Sequence, residues 1–206
     1  MSRVRVKICG IGTLDDALAA IDYGADALGF NFWPRSPRYI TPSAAGEIIE
    51  RLPPFVSNIG VFVNESAEQV TRIACELSLA AVQLHGDESP EFCARLAPLK
   101  SIKALRVGTD FDCEIIKSYP ANMILLDARS GISYGGTGET FDWSLVAGAR
   151  EYAPIILAGG LTADNVAEAV SVVRPAAIDA CSGVEAEPGR KDLRKLREFM
   201  AAVERL

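Results

Sequence analysis

Short apolar runs recur along the chain, and each is followed by a segment with helical spacing. The runs cover residues 4–9, 27–32, 57–63, 81–85, 102–107, 123–128, 154–158 and 176–180. Most are nearly continuous in Val, Ile, Leu and Ala, as strands are when both faces of a parallel sheet are covered. Helix start signals stand between them. Thr13 precedes Leu14, Ala17, Leu18 and Ile21 on one face, and Ser66 with Gln69 forms a capping box before Val70, Ile73 and Leu77. Thr41-Pro42 and Ser89-Pro90 each set a cap before a proline at the first helical position. Thr162 and Asp192 open two further helices, whereas the segment at 113–118 is short and stopped by Pro120. Eight strands alternating with eight helices predict parallel pairing with right-handed crossovers, hence an α/β (β/α)8 TIM barrel. At 206 residues this is a near-minimal one, and no linker or composition break divides it, so residues 1–206 are expected to form one domain. An open doubly wound sheet is the alternative, but no GxGxxG follows the first strand.

Charge and cysteine usage narrow the function. A net charge of -6 argues against a nucleic-acid binder or a polybasic membrane-surface protein, while leaving room for a local basic pocket. No signal-peptide core and no apolar run of membrane-spanning length are present, so a cytoplasmic location is expected. Five cysteines (Cys9, Cys75, Cys93, Cys113 and Cys181) with no CxxC pair and a single histidine make neither a disulfide framework nor a zinc site.

In such barrels the chemistry gathers at the C-terminal ends of the strands. Strand one ends Lys7-Ile8-Cys9-Gly10, strand four Gln83-Leu84-His85-Gly86 and strand six Leu125-Leu126-Asp127-Ala128. Strand seven gives way to Gly159-Gly160-Leu161 and strand eight to Cys181-Ser182-Gly183-Val184. These last two turns stand where the fold commonly binds phosphate. Glycine lets backbone N–H groups approach an anion, although tight turns alone also call for glycine. Cys9 reads either as a small buried hydrophobe or as a reactive thiol. Asp127 ends an apolar strand, so it faces the mouth or anchors a loop. A thiol and a carboxylate on different strands can act as base and acid across a substrate. Arg35 and Arg38, in a loop stiffened by Pro34 and Pro37, can read a carboxylate or phosphate or simply be solvated. His85 reads as a hydrogen-bonded wall of the site, with an acid or base role as the alternative. Cys75, Cys93 and Cys113 read as structural.

With these residues assembled, the sequence resembles the phosphoribosylanthranilate isomerase family of the tryptophan pathway. The resemblance runs through KICGI, GADALGFNF, SPRYI, NIGVFVNE, AVQLHGDE, ILLDA, GGTGETFDW, LAGGLTADNV and SGVEAEPGRKD, in order over essentially the whole chain. It implies conversion of N-(5-phosphoribosyl)anthranilate to 1-(2-carboxyphenylamino)-1-deoxyribulose 5-phosphate, an Amadori rearrangement without metal or cofactor. It further implies Cys9 as general base, Asp127 as general acid and Arg38 beside the anthranilate carboxylate. Gly159, Gly160, Ser182 and Gly183 would hold the phosphate, with Asp179 lining the site. The expected partner is a small phosphorylated metabolite, with no nucleic acid and no membrane, and the expected state is a monomer or homodimer. Two positions depart from the family: Cys181 stands where many relatives have serine, and Glu139 where a basic residue is common. Lys7 could stabilise a Cys9 thiolate only if strand one is regular enough to set both on one face. Two rivals use the same pocket: another phosphosugar enzyme, or a phosphometabolite-binding barrel without chemistry. The first would want a strand-end lysine or second phosphate site, and the second would be expected to lack Cys9 or Asp127.

Overall fold

The computed structural model describes residues 3–128 and 140–206; Glu139 lies outside them. Eight parallel strands close into a barrel in chain order. They are β1 (Arg5–Cys9), β2 (Ala27–Asn31), β3 (Ser57–Phe62), β4 (Ala81–Leu84), β5 (Ser101–Val107), β6 (Met123–Ala128), β7 (Ile155–Leu157) and β8 (Ala177–Ala180). Closure is made by β1 against β8, in the register Lys7↔Asp179 and Ile8↔Ala180. Each strand lies within two residues of the run that predicted it.

The caps act as the sequence implies. Helices α1 (Leu14–Asp22), α2 (Pro42–Ile49), α3 (Ala67–Glu76) and α4 (Pro90–Arg95) start behind Thr13, Thr41, Ser66 and Ser89, whose hydroxyls accept first-turn N–H groups. Only half of the expected capping box forms. Ser66 N–H donates to Glu65, and the Gln69 side chain accepts from Arg72 instead. Two further helices, α5 (Val166–Val173) and α6 (Leu193–Glu204), follow β7 and β8. The start of α5 differs from expectation. Asn165 accepts from Thr162 N–H and donates to Gly160 O, which pins a turn through Thr162 and delays the helix to Val166.

The expected eight helices are six among the described residues. After β5 stands a 3₁₀ turn at Cys113–Ser118, and 3₁₀ turns at Trp143–Val146 and Ala149–Glu151 precede β7. Adjacent β-branched Ile115 and Ile116 with Pro120 close behind leave no room for a longer α-helix, and Gly148 interrupts the other segment. A two-stranded antiparallel hairpin, β9 (Glu185–Glu187) with β10 (Arg190–Lys191), was not anticipated. Its signal is Pro188-Gly189, with Gly189 at φ 87°.

Two apolar layers position the mouth. Phe30, Phe62, Leu196 and Phe199 belong to the large core between strands and helices. Ile59, Ile102, Leu125 and Ile156 form a separate cluster inside the barrel. Because residues two apart share a strand face, the inward positions change character towards the C-terminal end. Leu125 is followed by Asp127, and Ala177 by Asp179. The barrel floor is thus apolar and its mouth polar. Removing a fully buried aromatic should test the outer layer. Phe199→Ala is expected to lose about 3–5 kcal/mol in urea denaturation. Phe55→Ala, at a side chain 99% exposed, should stay within about 0.5 kcal/mol.

Candidate active site

Four sets of residues meet at the mouth. At the β1–β8 seam, Lys7 and Cys9 point to the same inner face, so the strand is regular enough for the pairing that the sequence left open. Lys7 Nζ donates to Asp179 Oδ2 at 2.9 Å, both side chains being almost wholly buried. Gly29 lies in register with Cys9 on β2. A Cβ there would sit 2.8 Å from Cys9 Sγ and 3.0 Å from Lys7 Nζ, so the missing side chain makes the space both groups occupy. A hydrogen bond from Cys181 and the positive charges of Lys7 and Lys191 hold the Cys9 thiol well below its usual range, against the opposing effect of burial. The Cys181 thiol, whose Sγ also lies 3.8 Å from Glu185 Oε1, is pushed up by its interaction with Cys9 and by burial. Burial, with the Cys9 and Asp127 charges, pushes the Asp179 carboxyl up to about 7 despite Lys7. Burial disfavours the Lys7 ammonium, but Asp179 and Cys9 outweigh it and its pKa rises.

Across the mouth, Asp127 ends β6. Its Oδ1 accepts from Ala128 N–H at 2.9 Å, and its Oδ2 lies 3.2 Å from His85 Nε2. Gln83, two residues before His85 and on the same inner face, places its amide Nε2 2.8 Å from His85 Nδ1. The amide donates there, so Nδ1 is the acceptor and the ring proton resides on Nε2, donating to Asp127. His85 is thus a wall of the site in contact with its carboxylate.

The two glycine turns abut each other. Gly159 and Gly160 take φ of 88° and 60°, and a Cβ on Gly159 would lie 3.2 Å from Asp127 Oδ1. Gly183 is needed for a different reason: a Cβ there would be 2.0 Å from Leu161 O. Ser182 and Gly183 belong to a three-residue 3₁₀ turn, Ser182–Val184, rather than to the start of an α-helix.

Arg38 reaches the seam from the loop after β2. Its Nε donates to Glu185 Oε1 at 3.0 Å and its Nη2 to Oε2 at 2.7 Å. Glu185 also accepts from Lys191 Nζ at 2.9 Å and Gly189 N–H at 3.2 Å. Burial works against this carboxylate, but Arg38 and Lys191 hold it below the usual range. Gly10, at φ 73°, lets the Arg38 stem cross the end of β1; a Cβ there would stand 2.8 Å from Arg38 Cδ. Arg35, by contrast, is exposed.

The residues singled out from sequence, Cys9, Arg38, His85, Asp127, Gly159, Gly160, Asp179, Ser182 and Gly183, lie at the C-terminal strand ends or in the loops that follow them, on one side of the barrel. Cys75 and Cys93 lie on α3 and α4, and Cys113 in the 3₁₀ turn after β5. Sequence reasoning missed Gln83, Glu185 and Lys191. Their signals were a polar residue inside an apolar strand and an acid facing a base across a Pro-Gly turn. It also missed Lys103, buried behind β5, whose Nζ donates to Glu88 Oε2 at 2.6 Å and Gly86 O at 2.7 Å. That pair clamps the loop leaving His85.

Comparison with known proteins agrees with this geometry. Residues 6–202 match the family model described as N-(5'phosphoribosyl)anthranilate (PRA) isomerase. The N-(5'-phosphoribosyl)anthranilate isomerase of Geobacter metallireducens is 53% identical over 197 residues, spanning 96% of this chain and 97% of its own. A crystal structure of phosphoribosyl anthranilate isomerase in complex with reduced 1-(o-carboxyphenylamino)-1-deoxyribulose 5-phosphate superposes with a TM-score of 0.89 at 45% identity, covering 98% of this chain and 100% of that one. Monomers generated from the dimeric enzyme of Thermotoga maritima superpose at 0.88 with 43% identity, over 98% and 100% of the two chains. The chain belongs to the N-(5'-phosphoribosyl)anthranilate isomerase family.

Proposed function

We propose that this barrel mouth converts N-(5'-phosphoribosyl)anthranilate to 1-(2-carboxyphenylamino)-1-deoxyribulose 5-phosphate in tryptophan biosynthesis, with Cys9 as base and Asp127 as acid. The observation that carries the assignment is the placement of a charge-supported thiol and a hydrogen-bonded carboxyl on opposite strands beside two abutting glycine turns. The backbone of Gly159, Gly160, Ser182 and Gly183 takes the phosphate. Arg38, held by Glu185, takes the anthranilate carboxylate, and His85 and Asp179 line the sugar.

The steps follow from these positions. Asp127 gives its proton to the furanose ring oxygen while the anilino nitrogen pushes in its lone pair. The C1′–O bond breaks and a C1′=N iminium forms. The Cys9 thiolate then removes the C2′ proton, and the electron pair left behind forms the C1′=C2′ bond of an enolamine and neutralises the nitrogen. The C2′ hydroxyl loses its proton as C1′ gains one, giving the ketone. No cofactor enters this sequence. The bound product analogue of the related crystal structure supports the choice of ligand, and the dimeric enzyme of Thermotoga maritima with its monomers supports a monomer or homodimer. We read residues 1–206 as one barrel domain working in the cytoplasm. Among the described residues no helix is long and apolar enough to cross a membrane.

The acid and base should separate by substitution. Asp127→Asn keeps the shape but has no proton to give, and Cys9→Ser has no useful anion near neutrality. Each should lower kcat by about 10²-fold or more in a fluorescence assay of substrate loss. A Cys9→Ser enzyme of near-normal kcat would move the base elsewhere. Iodoacetamide should inactivate the enzyme by labelling Cys9, with product protecting it.

The base works deprotonated, so activity falls as pH drops through the Cys9 pKa. Because that pKa is lowered, the acid-side fall lies below the ~8.5 of a free thiol. Cys181→Ala removes the hydrogen bond that lowers it most and should move the fall to higher pH. An unchanged profile would remove Cys181 from this role.

Inorganic phosphate should compete with substrate and shift the backbone amide resonances of Gly160, Ser182 and Gly183. Valine at Gly160 or Gly183 is a poor test, because both positions are required by the turns themselves. Competition without those amide shifts would place the phosphate elsewhere.

A further inference from the structure

Gln83 is buried without exposure inside the barrel, and its amide has one satisfied end. Nε2 donates to His85 Nδ1, whereas Oε1 has no hydrogen-bond partner among the described residues. Its register neighbours are Val61 on β3 and Ile102 on β5, neither of which offers a side-chain donor. An apolar residue would fill this position without leaving a carbonyl unpaired. What an apolar residue cannot do is choose between the two ring nitrogens of His85.

We propose that Gln83 is a positioning residue for the acid: its amide sets which nitrogen of His85 carries the proton, and turning the amide over reverses the direction of the His85–Asp127 hydrogen bond. With Nε2 of Gln83 donating, His85 carries its proton on Nε2 and donates to an Asp127 carboxylate. A proton delivered from solvent water to His85 Nδ1 needs an acceptor there, and the Gln83 amide supplies one by rotating half a turn to bring Oε1 to the ring. The Nε2 proton then passes to Asp127 Oδ2. The result is a neutral His85 protonated on Nδ1 and a carboxyl that donates back to Nε2. One proton enters at Nδ1 and one reaches Asp127, so the exchange balances. In either orientation one end of the amide lacks a partner, and neither orientation is locked. The carboxylate left after Asp127 has protonated the sugar is stabilised by the first arrangement, and the loaded acid by the second. This inference rests on Asp127 being the acid. Gln83 itself is separated from the reacting atoms by His85.

The chain contains a single histidine, so its ring nitrogens can be read by ¹⁵N NMR without assignment ambiguity. In the unmodified protein at neutral pH, Nε2 should give the protonated, pyrrole-like signal and Nδ1 the pyridine-like one. Gln83→Glu, when ionised, accepts at Nδ1 while Asp127 accepts at Nε2, so both ring nitrogens should turn pyrrole-like. Gln83→Met removes the donor at Nδ1 and leaves Asp127 alone to hold the proton on Nε2, so the two signals should draw closer together. Both variants should lower kcat by roughly tenfold or more while KM changes less than about threefold. If the unmodified protein carries its ring proton on Nδ1 while Asp127 is ionised, the proposal fails, and that result does not depend on any variant folding. Signals that are the same in the wild type and in Gln83→Glu would also overturn it, as would a normal kcat in Gln83→Met. An active Asp127→Asn enzyme would instead remove the acid assignment while leaving the NMR result standing.

Discussion

The pairing of β1 with β8 is the constraint from which the site follows. It joins residues 172 positions apart, Lys7 and Asp179, in one rung of the sheet. Closing the barrel leaves it no open edge. It also sets a buried ammonium beneath the Cys9 thiol. Energetics indicate why such a pair is kept. Desolvating two ions is expensive by several kcal/mol each, and a well-packed apolar pair is often as stable or more so. Lys7–Asp179 is therefore a weak source of stability. Its consequence is a fixed positive charge within reach of a thiolate, in a place that water scarcely enters. Gly29 completes the arrangement by leaving a gap in the β2 wall.

A second charged centre ties the loops to that seam. Glu185 gathers Arg38 from the loop after β2 and Lys191 from the hairpin after β8, and Lys191 Nζ donates in turn to Cys9 O at 2.5 Å. Arg38, the hairpin and the end of β1 are therefore one unit. Removal of Glu185 would leave two cations facing each other in a part-buried space. Lys103 with Glu88 does the same for the loop that carries His85, from the outer side of the sheet. The loops around the strand ends are thus held by buried ion pairs.

Much of this was legible in the residues. The continuous apolar runs fixed the strands to within two residues, because a strand covered on both faces has a composition that few other elements share. Thr13, Thr41, Ser66, Ser89 and Asp192 marked helix starts through their hydroxyl and carboxylate chemistry. Strand ends then pointed to Cys9, His85 and Asp127. Three things were not legible. Whether 113–118 forms an α-helix or a 3₁₀ turn depends on the space left before β6, which no local pattern states. The delay of α5 to Val166 comes from Asn165 bonding backwards to Gly160, a choice between two local hydrogen-bond sets. The partnership of Arg38 with Glu185 spans 147 positions and exists only once the barrel has closed.

The central claim is that ring opening and C2′ proton removal belong to different residues. Following a C2′-deuterated substrate in water with Cys9→Ala measures this division most directly, with exchange of the two C1′ anomers recorded in the same sample. The account predicts that anomer exchange, driven by Asp127, continues while deuterium stays on C2′ and no product forms. Loss of C2′ deuterium from the Cys9→Ala enzyme at the wild-type rate would contradict it.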